Sequence, residues 1–186
     1  MKCICPLKPI ISLTLTLTLT LTLTLTLLSA CCVSVLAATP PGHTWTGLVT
    51  YVVDGDTVRV RPLQGGKPVS VRVNGIDAPE ICQDGGSTAR DALKRRALGQ
   101  RVVVHGVGRD DYGRLLAQIV MDDDDLGGWM VEAGHAWSYR YRGQPGPYAA
   151  QQHRAQAAGR GLFASGGVVA VYPAVFRKEH GSCRRS

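Results

Sequence analysis

The sequence predicts an α+β fold in which five short strands form a small barrel and about three helices pack against it. Three observations lead there. Runs of β-branched residues of strand length alternate with turn residues between Leu48 and Val104. A later segment places alanine and leucine at helical spacing. At 186 residues, the chain can form one domain with a hydrophobic core, but not two once its unusual N-terminus is set aside.

Three strand-length runs come first and are separated by turn signals. Asp54-Gly55 lies between the first and second runs, and Gly65-Gly66 lies between the second and third, so a three-stranded meander is predicted. Two further apolar runs complete the barrel. The predicted strands are 48–53, 57–63, 69–76, 101–107 and 115–121.

One helix is predicted over 87–98, because the apolar residues from Ala89 to Ala97 share one helical face. Ser87 is its expected N-cap, and Gly99 is its expected stop. Two shorter helical segments are expected at 128–133 and 148–158. Five strands and three helices in this order are typical of a barrel of the OB type, which often binds nucleic acid.

The first 38 residues have the pattern of an export signal. Lys2 and Lys8 precede an uncharged stretch with a Leu-Thr repeat, and small residues follow it. Cleavage before Ala38 and lipidation of Cys31, in a lipobox-like segment at 28–31, both remain open. So does retention as a membrane anchor, because about 20 apolar residues can cross a bilayer. We therefore expect a periplasmic or extracellular protein, with membrane attachment through the N-terminus as an alternative.

After this segment, a linker is predicted over 39–46, a folded domain over 47–165 and a tail over 166–186. Only Lys2 and Lys8 among the 21 basic residues lie before Pro40, and all 14 acidic residues lie after it, which leaves 19 basic against 14 acidic side chains, a net charge of +5. This surplus consists mostly of arginine, whose planar guanidinium binds phosphate in a two-pronged way. The charge therefore favours a polyanionic partner. We expect the domain to be a monomer.

Three segments concentrate polar residues at strand ends and turns. They are Asp54-Gly55-Asp56-Thr57, the segment from Arg72 to Glu80, and Asp111-Tyr112-Gly113-Arg114. Hydrolysis of a phosphodiester requires cationic groups at the phosphoryl oxygens, a positioned water and a base that takes its proton. Carboxylates and arginines from these segments can supply all of them. The acidic run at 122–125 is instead predicted to be a solvated turn.

Asp56 and Asp77 carry hard oxygen donors of the kind that suits Ca²⁺, and a barrel meander can bring the ends of their strands together. Arg72 and Arg114 would then bind the phosphate. Taken singly, each of these residues is also compatible with an ordinary turn or a solvated strand face. Their joint occurrence at fixed spacing favours a catalytic site.

The order DGDT, then R-x4-D-x-P-E, then DxYGR resembles the staphylococcal nuclease (thermonuclease) family, from about Thr46 to Phe163. This resemblance implies a calcium-dependent endonuclease that hydrolyses DNA and RNA and leaves 3′-phosphates. It implies that Ca²⁺ binds the carboxylates of Asp56 and Asp77 and the carbonyl of Ala78, with Asp54 supporting the metal from outside its direct ligands. It further implies that Glu80 is the general base, that Arg72 and Arg114 bind the reacting phosphate, and that Tyr112, Tyr139 and Tyr141 contact the nucleotide.

Two positions depart from the family pattern. Ala78 stands where the best-known members carry threonine, which leaves a backbone ligand intact. The segment 81–88 is shorter than the lysine-bearing loop of the best-known member and carries Asp84, so substrate preference is open. The main alternative is an OB-type module that binds single-stranded nucleic acid without cleaving it. Since no residue of the implied catalytic set is missing, the enzyme is the favoured interpretation.

A disulfide between Cys82 and Cys183 is predicted, because these are the two cysteines left after the N-terminal segment is removed beyond Cys32. An even pair in an oxidising compartment is usually bonded. The bond would hold the tail, which has few apolar residues of its own, beside the loop that carries Glu80. Reduction is then expected to loosen this loop and lower activity. Two free thiols are the alternative.

Overall fold

The computed structural model describes residues 42–164, 171–181 and 183. The predicted signal segment and Cys31 lie outside them, as do residues 39–41 of the predicted linker. The strands are β1 Thr44–Val52, β2 Thr57–Pro62, β3 Val69–Val73, β4 Ile76–Asp77, β5 Arg101–Arg109, β6 Leu115–Met121, β7 Asp124–Asp125 and β8 Trp137–Ser138. The helices are α1 Gly86–Ala97, α2 Leu126–Glu132, α3 Ala149–Ala157 and α4 Pro173–His180, with a 3-10 turn at Gly161–Phe163.

Five of these strands close into the predicted barrel. β1 pairs antiparallel with β2 and with β5, β2 pairs with β3, and β5 pairs with β6. A parallel pairing of β3 with β6, with Val71 opposite Leu115, closes the ring. The α+β barrel of OB type is therefore confirmed, and closure leaves neither β3 nor β6 as an open edge.

The barrel interior is filled by alternate residues of each strand. In β2, Val58 and Val60 are fully buried while Arg59 and Arg61 are exposed, which is the period-two pattern of a strand with one face in the core. Leu93 of α1 is also fully buried and extends the same core. This core fixes the strand ends on which the polar segments are carried.

The first strand begins earlier than the sequence indicated. Thr44 and Trp45 belong to β1, although the linker was predicted to run to residue 46, so this boundary was wrong. Trp45 is only 6% exposed and pairs with Val104 of β5. These residues of the Pro- and Gly-rich segment are therefore extended because they pair with β5, which follows about 60 residues later in the chain.

Helix α1 begins at Gly86, and the prediction of Ser87 as its N-cap was wrong. The N-cap is Gly85, which has a left-handed φ of 85° and makes no side-chain capping bond. Helix α2 begins two residues before the predicted segment, because Asp125 caps it through the N–H groups of Gly127 and Gly128. Helix α4 lies in the segment predicted as the C-terminal tail, where the sequence analysis identified no helix.

The acidic run does form a turn. Asp122 and Asp123 both have positive φ between the paired strands β6 and β7, as a two-residue hairpin of type I′ requires. Asp125 is not simply solvated, since its carboxylate also accepts a hydrogen bond from the Tyr148 hydroxyl at 2.9 Å. Among the described residues, no helix combines the length and the apolar character needed to cross a bilayer.

Candidate active site

The three polar segments meet at one end of the barrel, beside a cleft of about 820 Å³. The β2–β3 register places Thr57 opposite Arg72, and the parallel β3–β6 pairing places Arg72 opposite Leu116, two residues after Arg114. Strand pairing thus brings together residues that are far apart in the chain. The predicted residues that line the cleft are Asp54, Asp56, Arg72, Ala78, Glu80, Tyr112, Arg114 and Tyr139.

The loop that carries Asp54 and Asp56 lies directly against Ala78 and helix α1. A Cβ atom on Gly55 would lie 2.7 Å from the Cβ of Ala78 and 2.8 Å from that of Ala89. Glycine at this position therefore allows the two acidic residues to approach the end of β4. Asp77 is held there by the pairing of β4 with β8, in which it lies opposite Trp137.

Arg72 joins the two predicted metal ligands. Its Nη1 donates to Asp56 Oδ1 at 3.0 Å, and its Nη2 donates to Asp77 Oδ1 at 3.0 Å. Asp56 is 4% exposed and Asp77 is fully buried, so both carboxylates lie in a low-dielectric environment. Burial alone would lower the pKa of Arg72, but the charges of Asp56 and Asp77 raise it above its ordinary value. The arginine is thus fixed as a cation between two carboxylates.

Asp54 shapes the turn that presents Asp56. Its Oδ1 accepts a hydrogen bond from the backbone N–H of Asp56 at 3.1 Å, which is an Asx turn. Burial and the negative charge of Asp56 raise the pKa of Asp54 to about 7. Negative charge is therefore crowded at this end of the cleft.

Arg114 is positioned by a residue that the sequence interpretation did not single out. Asp110 Oδ2 accepts from Arg114 Nε at 2.6 Å, while Asp110 Oδ1 accepts from the backbone N–H groups of Tyr112 and Arg114 at 3.0 and 2.9 Å. Arg114 Nη1 also donates to Thr57 Oγ1 at 3.3 Å. Asp110 is the first residue of the DxYGR pattern, so the pattern itself contained this signal.

Glu80 lies on a tight turn between β4 and α1. Its backbone N–H donates to Gln83 Oε1 at 3.1 Å, and its carbonyl accepts from the Gln83 backbone N–H at 2.8 Å. Gln83 is 7% exposed and also donates to the Val171 carbonyl at 2.5 Å. A buried glutamine thus fixes the turn of the predicted base and ties it to the C-terminal segment. The sequence interpretation did not identify this role.

Helix α4 contributes a third arginine to the site. Arg177 Nη1 contacts Asp77 Oδ1 at 3.2 Å and Glu80 Oε1 at 2.9 Å, and its Nη2 contacts Asp77 Oδ2 at 3.2 Å. Burial opposes the charged form of Arg177, but hydrogen bonds to Asp77 and Glu80 raise its pKa. Arg177 follows its partners by about 100 residues and belongs to no recognised motif, so the sequence offered no signal for it.

A disulfide joins Cys82 to Cys183, whose Cα atoms are 5.7 Å apart and which are separated by 101 positions in the chain. Cys82 is the second residue after Glu80, and Cys183 follows helix α4. The C-terminal segment is therefore covalently fixed next to the predicted base.

The three predicted tyrosines are placed differently. Tyr112 is 69% exposed at the cleft, and its ring lies 5.4 Å from the guanidinium carbon of Arg114. Tyr139 also lines the cleft, and its backbone N–H donates to the Gly75 carbonyl at 2.8 Å. Tyr141 is 62% exposed but is not among the residues that line the cleft. Its ring instead contacts the guanidinium of Arg142, at 5.2 Å.

The carboxylates at this end of the cleft fit a calcium ion by donor type. Asp56 Oδ2 accepts a hydrogen bond from the backbone N–H of Ala78 at 3.3 Å. Burial, and after it the negative charge of Asp56, raises the pKa of Asp54, and a cation would offset the second of these effects. Hard oxygen donors of this kind are the usual ligands of calcium. Across residues 42–164, 171–181 and 183, no group of three or more His, Cys, Asp or Glu side chains is arranged to hold a metal. The predicted set, in contrast, is two carboxylates and one backbone carbonyl.

Comparison with known proteins gives a consistent result. Residues 70–165 match the protein family described as "Staphylococcal nuclease homologue". An "Uncharacterized endonuclease" of Escherichia coli O157:H7 is 37% identical over 118 residues, which cover 63% of this chain and 76% of that protein. A "Micrococcal nuclease" of Shigella flexneri is 35% identical over 125 residues, which cover 62% of this chain and 71% of that protein. Helix α4 lies beyond the residues that match the family.

Proposed function

This chain belongs to the staphylococcal nuclease family, and from that premise we propose that it is an exported, calcium-dependent endonuclease. Its substrates are DNA and RNA, and its products carry 3′-phosphates. One observation carries the proposal: strand pairing and the β4 turn bring Asp56, Arg72, Glu80 and Arg114 to one cleft. Asp77 is buried behind the cleft lining and is joined to it through Arg72, which donates to the carboxylates of both Asp56 and Asp77. The names of the endonuclease and nuclease relatives support the reaction class.

In the proposed reaction, Arg72 and Arg114 bind the non-bridging oxygens of the scissile phosphate. Each guanidinium is already oriented by carboxylates, Arg72 by Asp56 and Asp77 and Arg114 by Asp110, so little reorganisation is needed when substrate binds. Asp56, Asp77 and the Ala78 carbonyl would hold the calcium ion, whose positive charge would stabilise negative charge on the phosphate.

Glu80 takes the proton of the attacking water. The water oxygen forms a bond to phosphorus, the bond between phosphorus and the 5′ oxygen breaks, and the electron pair leaves with that oxygen, which then takes up a proton. The phosphate stays on the 3′ oxygen. The turn closed by Gln83 fixes the backbone of Glu80, and its side chain remains 23% exposed at the cleft.

Tyr112 and Tyr139 offer exposed rings at the same cleft, where they would stack on or hydrogen-bond the nucleotide. Stacking of bases on aromatic side chains tolerates different sequences, since every base has a π face. This fits an endonuclease with broad substrate range. Tyr141, outside the cleft lining, is assigned to a contact with a neighbouring nucleotide.

The test is incubation of the purified exported protein with single- and double-stranded DNA and RNA, in calcium and in excess chelator. We expect cleavage in calcium, none in chelator and little with magnesium, which demands tighter octahedral geometry. Products should resist 3′ extension by a polymerase until a phosphatase removes the terminal phosphate. Undiminished cleavage in chelator would disprove the metal dependence. Binding without cleavage would support the non-catalytic OB-type module.

A further inference from the structure

Arg177 contacts the two carboxylates that the proposed reaction needs most. Its guanidinium spans both oxygens of Asp77, at 3.2 Å each, and reaches Glu80 Oε1 at 2.9 Å. Asp77 is a proposed calcium ligand, and Glu80 is the proposed base. The side chain of Asp77 is fully buried, whereas that of Arg177 is one-third exposed, so the guanidinium covers Asp77 on the side of helix α4.

The segment that carries Arg177 is docked at several points. We define the C-terminal arm as residues 171–181 together with Cys183. The Tyr172 ring packs edge-on against Trp137, at 5.7 Å between centroids, and Pro173 is buried. The Val171 carbonyl accepts the hydrogen bond from Gln83 at 2.5 Å, and the disulfide to Cys82 fixes the far end. These contacts hold Arg177 against the site.

The charge of this contact has a direct consequence for the site. The Arg177 guanidinium, bound to both oxygens of Asp77, puts one positive charge where a divalent cation would bind. Two positive charges bound to the same carboxylate repel each other. The hydrogen bond to Glu80 also engages an oxygen of the group that has to accept the water proton. Cation binding and proton transfer would therefore each be opposed while the arm is docked.

We propose that the C-terminal arm is an autoinhibitory element, which rests on the proposed function: Arg177 competes with the divalent cation for Asp77 and occupies Glu80, and the Cys82–Cys183 disulfide keeps the arm docked. An external dithiol releases it. Two electrons and two protons pass from the dithiol to the disulfide, giving two cysteine thiols and an oxidised, disulfide form of the reductant.

The disulfide is the contact that can be switched. While it is intact, the arm is held at high effective concentration beside Glu80. Once it is reduced, the arm depends on α4, which has only eight residues and one buried residue, Pro173, and helices this short are marginal on their own. The arm can then leave while the barrel stays folded. This reverses the expectation from sequence alone that reduction lowers activity.

The first test measures calcium binding by isothermal titration calorimetry on the full exported protein in its oxidised form. Arg177→Gln should bind calcium about tenfold more tightly than wild type, within the usual range of coupling between sites. Lys178→Gln is the matched control, because it removes the same charge from the exposed neighbouring position and should leave the affinity unchanged. Equal affinity in wild type and Arg177→Gln overturns the proposal.

The second test compares oxidised and dithiol-treated protein. Reduction should raise both the calcium affinity and the initial cleavage rate of wild type to those of Cys183→Ser, which itself should not respond to the dithiol. Hydrogen exchange should become faster over 171–181 while the barrel strands stay protected. Simultaneous loss of protection in the barrel overturns the proposal, because it would show general unfolding.

The outcomes separate the two proposals. If Arg177→Gln binds calcium more tightly but no variant cleaves nucleic acid, the arm proposal stands and the nuclease function fails. If Arg177→Gln keeps the wild-type affinity and cleaves more slowly, Arg177 is a third phosphate-binding residue, and the arm proposal fails while the nuclease function stands. Thermal denaturation of each variant confirms that the compared proteins are folded.

Discussion

Glu80 is bound in two directions, through its backbone to Gln83 and through its side chain to Arg177. The backbone contacts belong to the turn before α1 and set where the carboxylate can point. The side-chain contact belongs to the C-terminal arm. Chemistry at this residue can therefore be changed without disturbing the turn, provided that the substitution keeps the shape of the side chain.

Glu80→Gln provides this substitution. We expect turnover to fall by about 10² to 10⁴, the usual contribution of a general base, because the amide cannot take the water proton. Stability should change little, since the Gln83 contacts use only the backbone of residue 80 and the oxygen of the new amide can still accept the hydrogen bond from Arg177. The measurement is the initial cleavage rate of reduced protein, so that docking of the arm does not mask the difference. Near-full activity in a folded variant would show that another group is the base.

Asp110 controls the orientation of Arg114. Partial burial raises the pKa of Asp110, but the hydrogen bonds and charge of Arg114 outweigh it and hold the pKa below its ordinary value. A lowered folded-state pKa means that the carboxylate stabilises the protein above the unfolded pKa of about 3.9. That stabilisation is lost as the pH falls through the folded-state pKa.

We therefore expect Asp110→Asn to be less stable than wild type at neutral pH, and the difference to shrink as the pH falls below about 4. The same variant should bind substrate more weakly, because Arg114 loses its 2.6 Å ion pair. Urea denaturation at several pH values measures the first effect, and the KM measures the second. Asp111→Asn is the stability control. A pH-independent difference would show that Asp110 acts through shape rather than charge.

At the scale of elements, the start of α1 is packed directly against the turn that carries Glu80. A Cβ atom on Gly86 would collide with the carbonyl oxygen of Glu80 and would lie 3.0 Å from the Cα of Ile81. Backbone atoms cannot move aside as a flexible side chain can. The spacing between Glu80 and the helix therefore depends on glycine at this position.

Gly86→Ala should displace this turn. Overpacking of this kind typically costs about 1 to 3 kcal/mol in the free energy of unfolding, and we expect a loss in that range. Turnover should also fall, because Glu80 moves with the turn.

Gly65→Ala is a weaker comparison for this variant. No atom lies near the Cβ that it adds, but the φ of 100° at Gly65 is itself strained for alanine. Gly108→Ala is the matched control, because the φ of Gly108 is not left-handed and no atom lies within 4 Å of the added Cβ. Equal effects at 86 and 108 would contradict the steric argument.

At the scale of the whole molecule, the proposed export bears on the state of the disulfide. The predicted signal segment would bring the protein to an oxidising compartment, where the Cys82–Cys183 bond forms. The C-terminal arm and the predicted signal segment would therefore together determine where the proposed nuclease is active. A docked arm would restrain the nuclease until it meets a reducing agent.

We expect signal cleavage to leave a mature protein that starts near Ala38 with an unmodified N-terminal amino group. Mass spectrometry of protein recovered from the periplasm and the medium distinguishes this from a diacylated Cys31, which would indicate membrane attachment. Cys31→Ser is the control, and it should leave the mass of the mature protein unchanged if cleavage occurs near Ala38. A mature protein that starts at a lipid-modified Cys31 would contradict release in soluble form.

The sequence by itself determined the barrel and the candidate site of this protein. The features that predicted them are local: strand-length runs, hairpin glycines and the spacing within DGDT, Arg72 to Glu80 and DxYGR. Local features involve residues close together in the chain, so the sequence alone shows them. Asp110 and Gly86 lie within or beside these patterns, but their roles depend on contacts in the folded protein. Asp110 acts through its distance to Arg114, and Gly86 acts through its close approach to the carbonyl of Glu80.

Only the tertiary structure decided what helix α4 does. Arg177 meets Asp77 and Glu80 across about 100 residues, and no periodicity or spacing connects positions so far apart. The sequence indicated that Cys183 would hold a tail near the active site, but not which side chain would enter it. The start of β1 at Thr44 was decided in the same way, by pairing with β5. In both cases a long-range contact, absent from the local pattern, outweighs what the nearby residues favour on their own.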